Sequence, residues 1–145
     1  MKISNSGILL IKSFEGLRLH SYIDAVGILT IGYGHTGPDV HNGMTVTETQ
    51  ATNLLNKDLS SFEAAVNNLI TVPLNQNQFD ALVSFAYNVG TGSLESSTLR
   101  RRLNSHENPN TVAKQELIKW CKGTGNKTLP GLLKRREAEI ALFCK

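Results

Sequence analysis

EGLRLHSYIDAVGILTIGYGH, residues 15–35, marks a change from helical to extended chain. Residues 17–37 hold Gly27, Gly32, Gly34 and Gly37 among the β-formers Tyr22, Ile28, Thr30, Ile31 and Tyr33. That mixture predicts a β-hairpin or small sheet with its turn around Asp24–Gly27. Side chains alternate along a strand, so Leu29, Ile31 and Tyr33 share one face and Ile28, Thr30 and Gly32 the other. Just upstream, Ile8, Ile11 and Phe14 fall at helical spacing, which predicts a helix from Asn5 to Glu15. Gly16 is placed to end it.

Downstream, Pro38, Asn42 and Gly43 break the chain into a loop. Thr47-Glu48-Thr49-Gln50 then matches a capping box at a helix start. The stripe Ala51, Leu54, Leu55, Leu59, Phe62, Val66, Leu69 and Ile70 carries that helix to about Thr71, before Pro73. Such a helix is roughly 36 Å long, enough to join two lobes. Asn75–Gly90 is apolar around nearly its whole circumference, the mark of a buried helix. Ser97–Asn104, Thr111–Cys121 and Pro130–Phe143 complete a helical second half, with Pro130 in a first turn. The expected fold class is α+β, mainly helical: a small β-hairpin lobe, a long connecting helix and a helical C-terminal lobe. Residues 1–145 form one domain, with lobes at approximately 14–58 and at 1–13 plus 59–145. The junction of two lobes is a natural place for a cleft.

Composition narrows the function. The chain has 145 residues, 40% of them apolar, and a formal net charge of +3, with a pI near 9.0. It is globular, not disordered. It lacks the dense Lys/Arg stripe of a nucleic-acid binder, although a mild positive field draws it towards polyanions. The early apolar run Ile8–Ile11 is far too short to cross a bilayer or to serve as a signal-peptide core. No membrane insertion is expected, and the protein should accumulate in the cytoplasm. Four scattered histidines match no metal-ligand spacing, so neither zinc nor a cofactor is expected. Cys121 and Cys144 read as free thiols, or as a disulfide formed after export.

Three polar residues lie close together in sequence. Glu15 ends a helix, Asp24 lies in the turn, and Thr30 returns on the second strand. Two carboxyl groups in unlike surroundings suit glycosidic cleavage, where one donates a proton while the other stays ionised. Glu15 follows an apolar helix face, where desolvation favours the protonated form, whereas Asp24 lies in a polar turn. The Thr30 hydroxyl can orient a water. By spacing alone, the same residues also read as a solvated helix end, a turn former and a strand former.

The wider string is more specific. Glu15-Gly16, then Tyr22-x-Asp24, then Thr30-Ile31-Gly32-Tyr33-Gly34-His35 resembles the N-terminal motif of the phage-type lysozymes, or endolysins (glycoside hydrolase family 24). Further segments are similar to that family: Val72–Leu82, Asn88-Val89-Gly90, Ser97-Thr98-Leu99, Trp120, and the last helix with Leu132, Arg135–Glu139, Leu142 and Phe143. The resemblance implies hydrolysis of the β-1,4 bond between N-acetylmuramic acid and N-acetylglucosamine in bacterial peptidoglycan, for host cell lysis. Glu15 is then the general acid, Asp24 the base or electrostatic partner, and Thr30 the holder of the attacking water. The expected outcome is inversion, which needs carboxyls roughly 6.5–9.5 Å apart against about 5–5.5 Å for retention. A lytic transglycosylase and a non-catalytic peptidoglycan-binding module are the alternatives. The implied partners are peptidoglycan glycan strands, met by a monomer after a separate holin-type factor releases it to act on the wall in the periplasm.

Other residues carry two readings each. Asn88 and Thr98 match family positions on the cleft wall and read as substrate contacts or as helix caps. Tyr87 can stack on a sugar or pack in the core. His35 can bind substrate, but pairing with a carboxylate between the lobes fits it better. Arg135 matches a family position near the catalytic acid, yet Arg100–Arg102 and Lys134–Arg136 also read as solvated helix faces. Trp120 reads as core.

Overall fold

Gly16 adopts φ +73°, a region open to glycine, and there the first helix stops. The computed structural model describes all 145 residues, and the helix, α1, spans Asn5–Glu15 as its spacing predicts. The chain resolves into two compact units, residues 11–61 and residues 1–10 with 62–145.

Within residues 11–61 lies an antiparallel sheet of β1 (Arg18–Ile23), β2 (Leu29–Gly32) and β3 (His35–Thr36), in that order. Tyr22 pairs with Thr30 and Ile23 with Leu29 across the hairpin, and Ile31 pairs with His35. The turn falls where Asp24–Gly27 places it, and Gly27 supplies φ +86°. A third strand extends the predicted hairpin. β2 is therefore central, and Thr30 and Ile31 are both buried although they point to opposite faces. Gly32 has φ +67°, and a Cβ there would lie 3.4 Å from that of Ala51. Residues 44–46 line the other side of β1: Ser21 N–H donates to Met44 O at 2.9 Å and Val46 N–H to Leu19 O at 2.9 Å. This pairing satisfies an otherwise open sheet edge.

The long helix α2 (Glu48–Leu69) has 22 residues. Its capping box is formed: Thr47 N–H donates to Gln50 Oε1 at 2.9 Å, and Gln50 N–H to Thr47 Oγ1 at 3.1 Å. It ends slightly before Thr71, whose N–H donates to Asn104 Oδ1 at 2.9 Å instead of extending the ladder, and side chains of a later helix cover the Leu69 carbonyl, whose ladder partner would be Pro73 with no N–H. Arg100 Nε and Asn104 Nδ2 donate to Leu69 O at 3.0 and 2.8 Å.

In the larger unit, α3 (Gln76–Val89) opens on a capping box at Asn75, and residues 79–86 are all buried. It packs against α7 (Pro130–Phe143). Between them come α4 (Thr91–Ser96), α5 (Thr98–Asn104) and α6 (Pro109–Glu116). The sequence reading misses α4, whose Thr, Gly and Ser are weak helix formers. The helix expected over Thr111–Cys121 starts earlier, with Asn108 Oδ1 capping Thr111 N–H at 3.1 Å. Its tail tightens into a 3₁₀ turn over Leu117–Lys119. A second 3₁₀ turn covers Thr124–Asn126.

The reading of Lys134–Arg136 as a solvated face fails for two of the three. Arg135 is 3% exposed and Arg136 fully buried, as is Glu139. Glu139 binds Arg136 Nη1 at 3.1 Å and Arg135 Nε at 3.4 Å, and accepts from Ser84 Oγ at 2.6 Å. Arg136 also lies over the Phe85 ring, 5.0 Å from its centroid. Burial pushes the Glu139 carboxyl up, against the pull of Arg136, Ser84 and Arg135. It pulls the Arg136 guanidinium down. Charges buried this deeply persist only as paired groups.

Trp120 is half-buried, edge-on to Phe85 at 5.5 Å, so it flanks the core and does not fill it. Cys121 is buried, Cys144 partly exposed, and both are free thiols. No helix is long and apolar enough to cross a membrane.

Candidate active site

Glu15 is the last residue of α1 and is half-buried. One turn earlier, Lys12 anchors the end of that helix. Its Nζ donates to Thr52 Oγ1 at 3.0 Å and lies 5.1 Å from the Tyr33 ring centroid. These two contacts tie the last turn of α1 to Thr52 and Tyr33.

Asp24 directs its own turn. Oδ1 accepts the N–H of Val26 at 3.0 Å and of Ile28 at 2.8 Å. Its backbone N–H donates to Ile28 O at 2.9 Å. The Thr30 hydroxyl donates to that same Ile28 carbonyl, also at 2.9 Å. Asp24 and Thr30 are thus brought together on one carbonyl oxygen. Such side-chain-to-backbone bonds are why Asp favours turns. The arrangement sorts donors from acceptors. Asp24 Oδ2 is left as an acceptor. With its proton committed to Ile28, the Thr30 oxygen can only accept.

His35, at the start of β3, pairs with carboxylates, but both lie in its own unit, which corrects the expectation of a pair between lobes. Nδ1 meets Asp58 Oδ2 at 2.6 Å and Nε2 meets Asp39 Oδ2 at 2.9 Å. Burial alone would lower the His35 pKa, but the hydrogen bonds and charges of Asp58 and Asp39 outweigh it and the pKa rises. The hydrogen bond from His35 holds Asp39 below its ordinary value. Both ring nitrogens are occupied, which leaves neither for a ligand.

The remaining candidates lie in the larger unit. Asn88 Oδ1 accepts from Arg136 Nη2, while the end of α3 is capped by Gly90, whose N–H donates to Ala86 O at 2.8 Å. The capping alternative for Asn88 therefore falls away. It falls away for Thr98 too, because Ser97 is the cap and its Oγ accepts from Arg100 N–H at 3.1 Å. Thr98 is exposed beside a hollow of about 480 Å³ that Arg101 and Ser105 also line. Tyr87 is half-buried and meets Phe62 edge-on at 5.2 Å. Arg135 is buried, and its Nη2 donates to Ser84 O at 3.2 Å.

Sequence reading missed three participants. Asp39 and Asp58 sit on a loop and a helix with no local signal beyond the four-residue spacing of His35 and Asp39. Ile28 enters the arrangement through its backbone N–H and C=O, which its side chain does not announce.

A family model described as phage lysozyme matches residues 12–139. The endolysin of Bacillus phage B103 is 50% identical over 145 residues, covering 99% of this chain and 54% of its own length. The endolysin of Bacillus phage PZA is covered to 55%, so the chain spans about half the length of these relatives. Among solved structures, the muramidase domain of SpmX from Asticaccaulis excentricus superposes with a TM-score of 0.93 at 43% identity, covering 99% of this chain and 98% of that one. A P22 lysozyme mutant superposes with a TM-score of 0.90 at 42% identity, covering 100% and 99%. A match of this breadth, with the Glu15–His35 string intact, places the chain in the phage lysozyme family.

Proposed function

We propose that this chain hydrolyses the β-1,4 bond between N-acetylmuramic acid and N-acetylglucosamine in bacterial peptidoglycan, with inversion at the anomeric carbon. Glu15 gives its proton to the leaving glycosidic oxygen. Asp24 Oδ2 takes a proton from the attacking water, and Thr30 Oγ1 accepts that water's other hydrogen. The observation that carries the reading is that the backbone of Ile28 holds both residues, its N–H taking Asp24 Oδ1 and its carbonyl the Thr30 hydroxyl, which leaves Asp24 Oδ2 and Thr30 Oγ1 as acceptors. Paired carboxyls of this kind are the general requirement for inverting hydrolysis.

Asn88, Thr98 and Tyr87 are proposed as glycan contacts, through an amide, an exposed hydroxyl and a ring face. His35 and Arg135 support the structure around them through their ion pairs. The chain acts as one domain and as a monomer, and needs no cofactor. It remains in the host cytoplasm until a separate holin-type factor releases it to the wall in the periplasm.

The test is digestion of purified wall by wild type, Glu15→Gln and Asp24→Asn, with stereochemical analysis of the new reducing ends. Wild type should yield α-configured ends, and Glu15→Gln should lose about 10²-fold or more in rate, the scale of general acid catalysis. Undiminished clearing by Glu15→Gln, or anhydro ends from wild type, would overturn the assignment.

A further inference from the structure

We infer that Ile28 is a positioning residue for this reaction, and that its backbone N–H and C=O, not its side chain, hold Asp24 and Thr30 in a fixed relation. The inference rests on the catalytic reading above and extends it to the turn. Three hydrogen bonds meet at this residue. Its N–H donates to Asp24 Oδ1 at 2.8 Å, and its carbonyl accepts Asp24 N–H at 2.9 Å and Thr30 Oγ1–H at 2.9 Å. Its side chain is 48% exposed, so packing does not account for its place.

Each bond removes a freedom that would blur the site. An aspartate on a turn samples several rotamers, and two N–H donors on one oxygen select a single one. The other oxygen is then the sole carboxylate acceptor left. A threonine hydroxyl with no partner rotates freely, and donation to Ile28 O fixes where its lone pairs point. Because the backbone of one residue holds both groups, a displacement of that residue shifts both. Catalysis is sensitive at this scale, since a misplacement of about 1 Å can cost roughly 10²-fold in rate.

Gly27 makes the arrangement possible. At φ +86° it turns the chain so that the Ile28 N–H faces back to Asp24. Nothing lies within 4 Å of where a Cβ on Gly27 would be. A side chain there therefore strains the backbone without a clash, and β-branched residues tolerate that region worst while Asn tolerates it best.

Two changes test the inference on the full chain. The first replaces Ile28 by its α-hydroxy analogue, converting the Gly27–Ile28 amide to an ester, which deletes the N–H donor and leaves the side chain and the Ile28 carbonyl in place. The second is Gly27→Val, with Gly27→Asn as the conservative rescue and Ile23→Thr, on the exposed face of the same hairpin, as a control. The ester and Gly27→Val should each lower kcat about tenfold or more, the effect of losing a hydrogen bond to a charged group, while KM stays within about twofold. Gly27→Asn should restore most of kcat, and Ile23→Thr should leave it unchanged. If the ester and Gly27→Val keep wild-type kcat while Asp24→Asn is inactive, the positioning role is wrong and the catalytic assignment stands. The role is equally refuted if Gly27→Val loses activity only in step with thermal stability and Gly27→Asn brings none back. A fully active Asp24→Asn would bring down the catalytic reading and this inference with it.

Discussion

His35 lies between two carboxylates, so its charge is coupled to folding. Its pKa is raised in the folded chain above an unfolded value of about 6.5. The protonated form is favoured by the fold, so this stabilisation is complete below the unfolded value and is lost as pH rises through the folded one. Asp39 shows the opposite sign. Its folded pKa is lowered, so its contribution is present above the unfolded value and lost as pH falls through the folded one. The cluster is therefore most stabilising in the mildly acidic range between the two. Tm should fall from mildly acidic to alkaline pH, and His35→Asn should flatten that slope. At mildly acidic pH His35→Asn should cost about 1.5–3 kcal/mol, the range for a hydrogen bond to a charged group. A wild-type Tm that does not fall between pH 5.5 and 9 would show that the pair does not couple to folding. The presence of a carboxylate partner for His35 was readable from its residue type. The identity of the partners was not, because Asp58 reaches it only through the packing of residues 11–61.

At the scale of an element, α1 shows how local propensity and packing can disagree. Replacing glycine by alanine inside a helix ordinarily stabilises by about 0.5–1 kcal/mol. At Gly7 the sign should reverse. A Cβ there would stand 2.6 Å from Ile3 Cγ1 and 2.8 Å from Asp80 Cγ. Asp80 is not free to move, because it accepts from Ser4 N–H at 3.0 Å and Gln76 Nε2 at 2.8 Å, and from Ser4 Oγ as well. Overpacking of this kind costs about 1–3 kcal/mol, which exceeds the gain in propensity. Urea denaturation of Gly7→Ala should show a lower midpoint at unchanged slope; a raised midpoint would mean that Ile3 and Asp80 yield. The start of α2 is the contrasting case, since its capping box was written in four consecutive residues and formed as written.

At the scale of the whole molecule, charge is divided unevenly. Residues 1–10 with 62–145 carry twelve Lys and Arg against seven Asp and Glu, a net of +5, while residues 11–61 carry three against five, a net of −2. The net of +3 hides this asymmetry. Under the proposed function, a polyanionic wall should be held chiefly by the larger unit. Exposed charges are screened beyond about 10 Å at 0.1 M salt, so wall retention of a Glu15→Gln variant should weaken markedly between about 0.01 and 0.3 M salt. Retention that ignores salt would place binding in contacts other than charge. The sequence by itself determined the order of the main helices, the turn at Asp24–Gly27, the cap at Thr47 and the Glu15–His35 motif, because these are set by residues within a few positions of one another. Only the tertiary structure decided that Arg135 and Arg136 are buried against Glu139, that Asn104 takes the Thr71 N–H and, with Arg100, covers the Leu69 carbonyl at the end of α2, and that Asp24 and Thr30 are held by the backbone of Ile28. In the first two the partner that satisfies a charge or a carbonyl comes from elsewhere in the chain. In the third it is a backbone group, which sequence letters do not display.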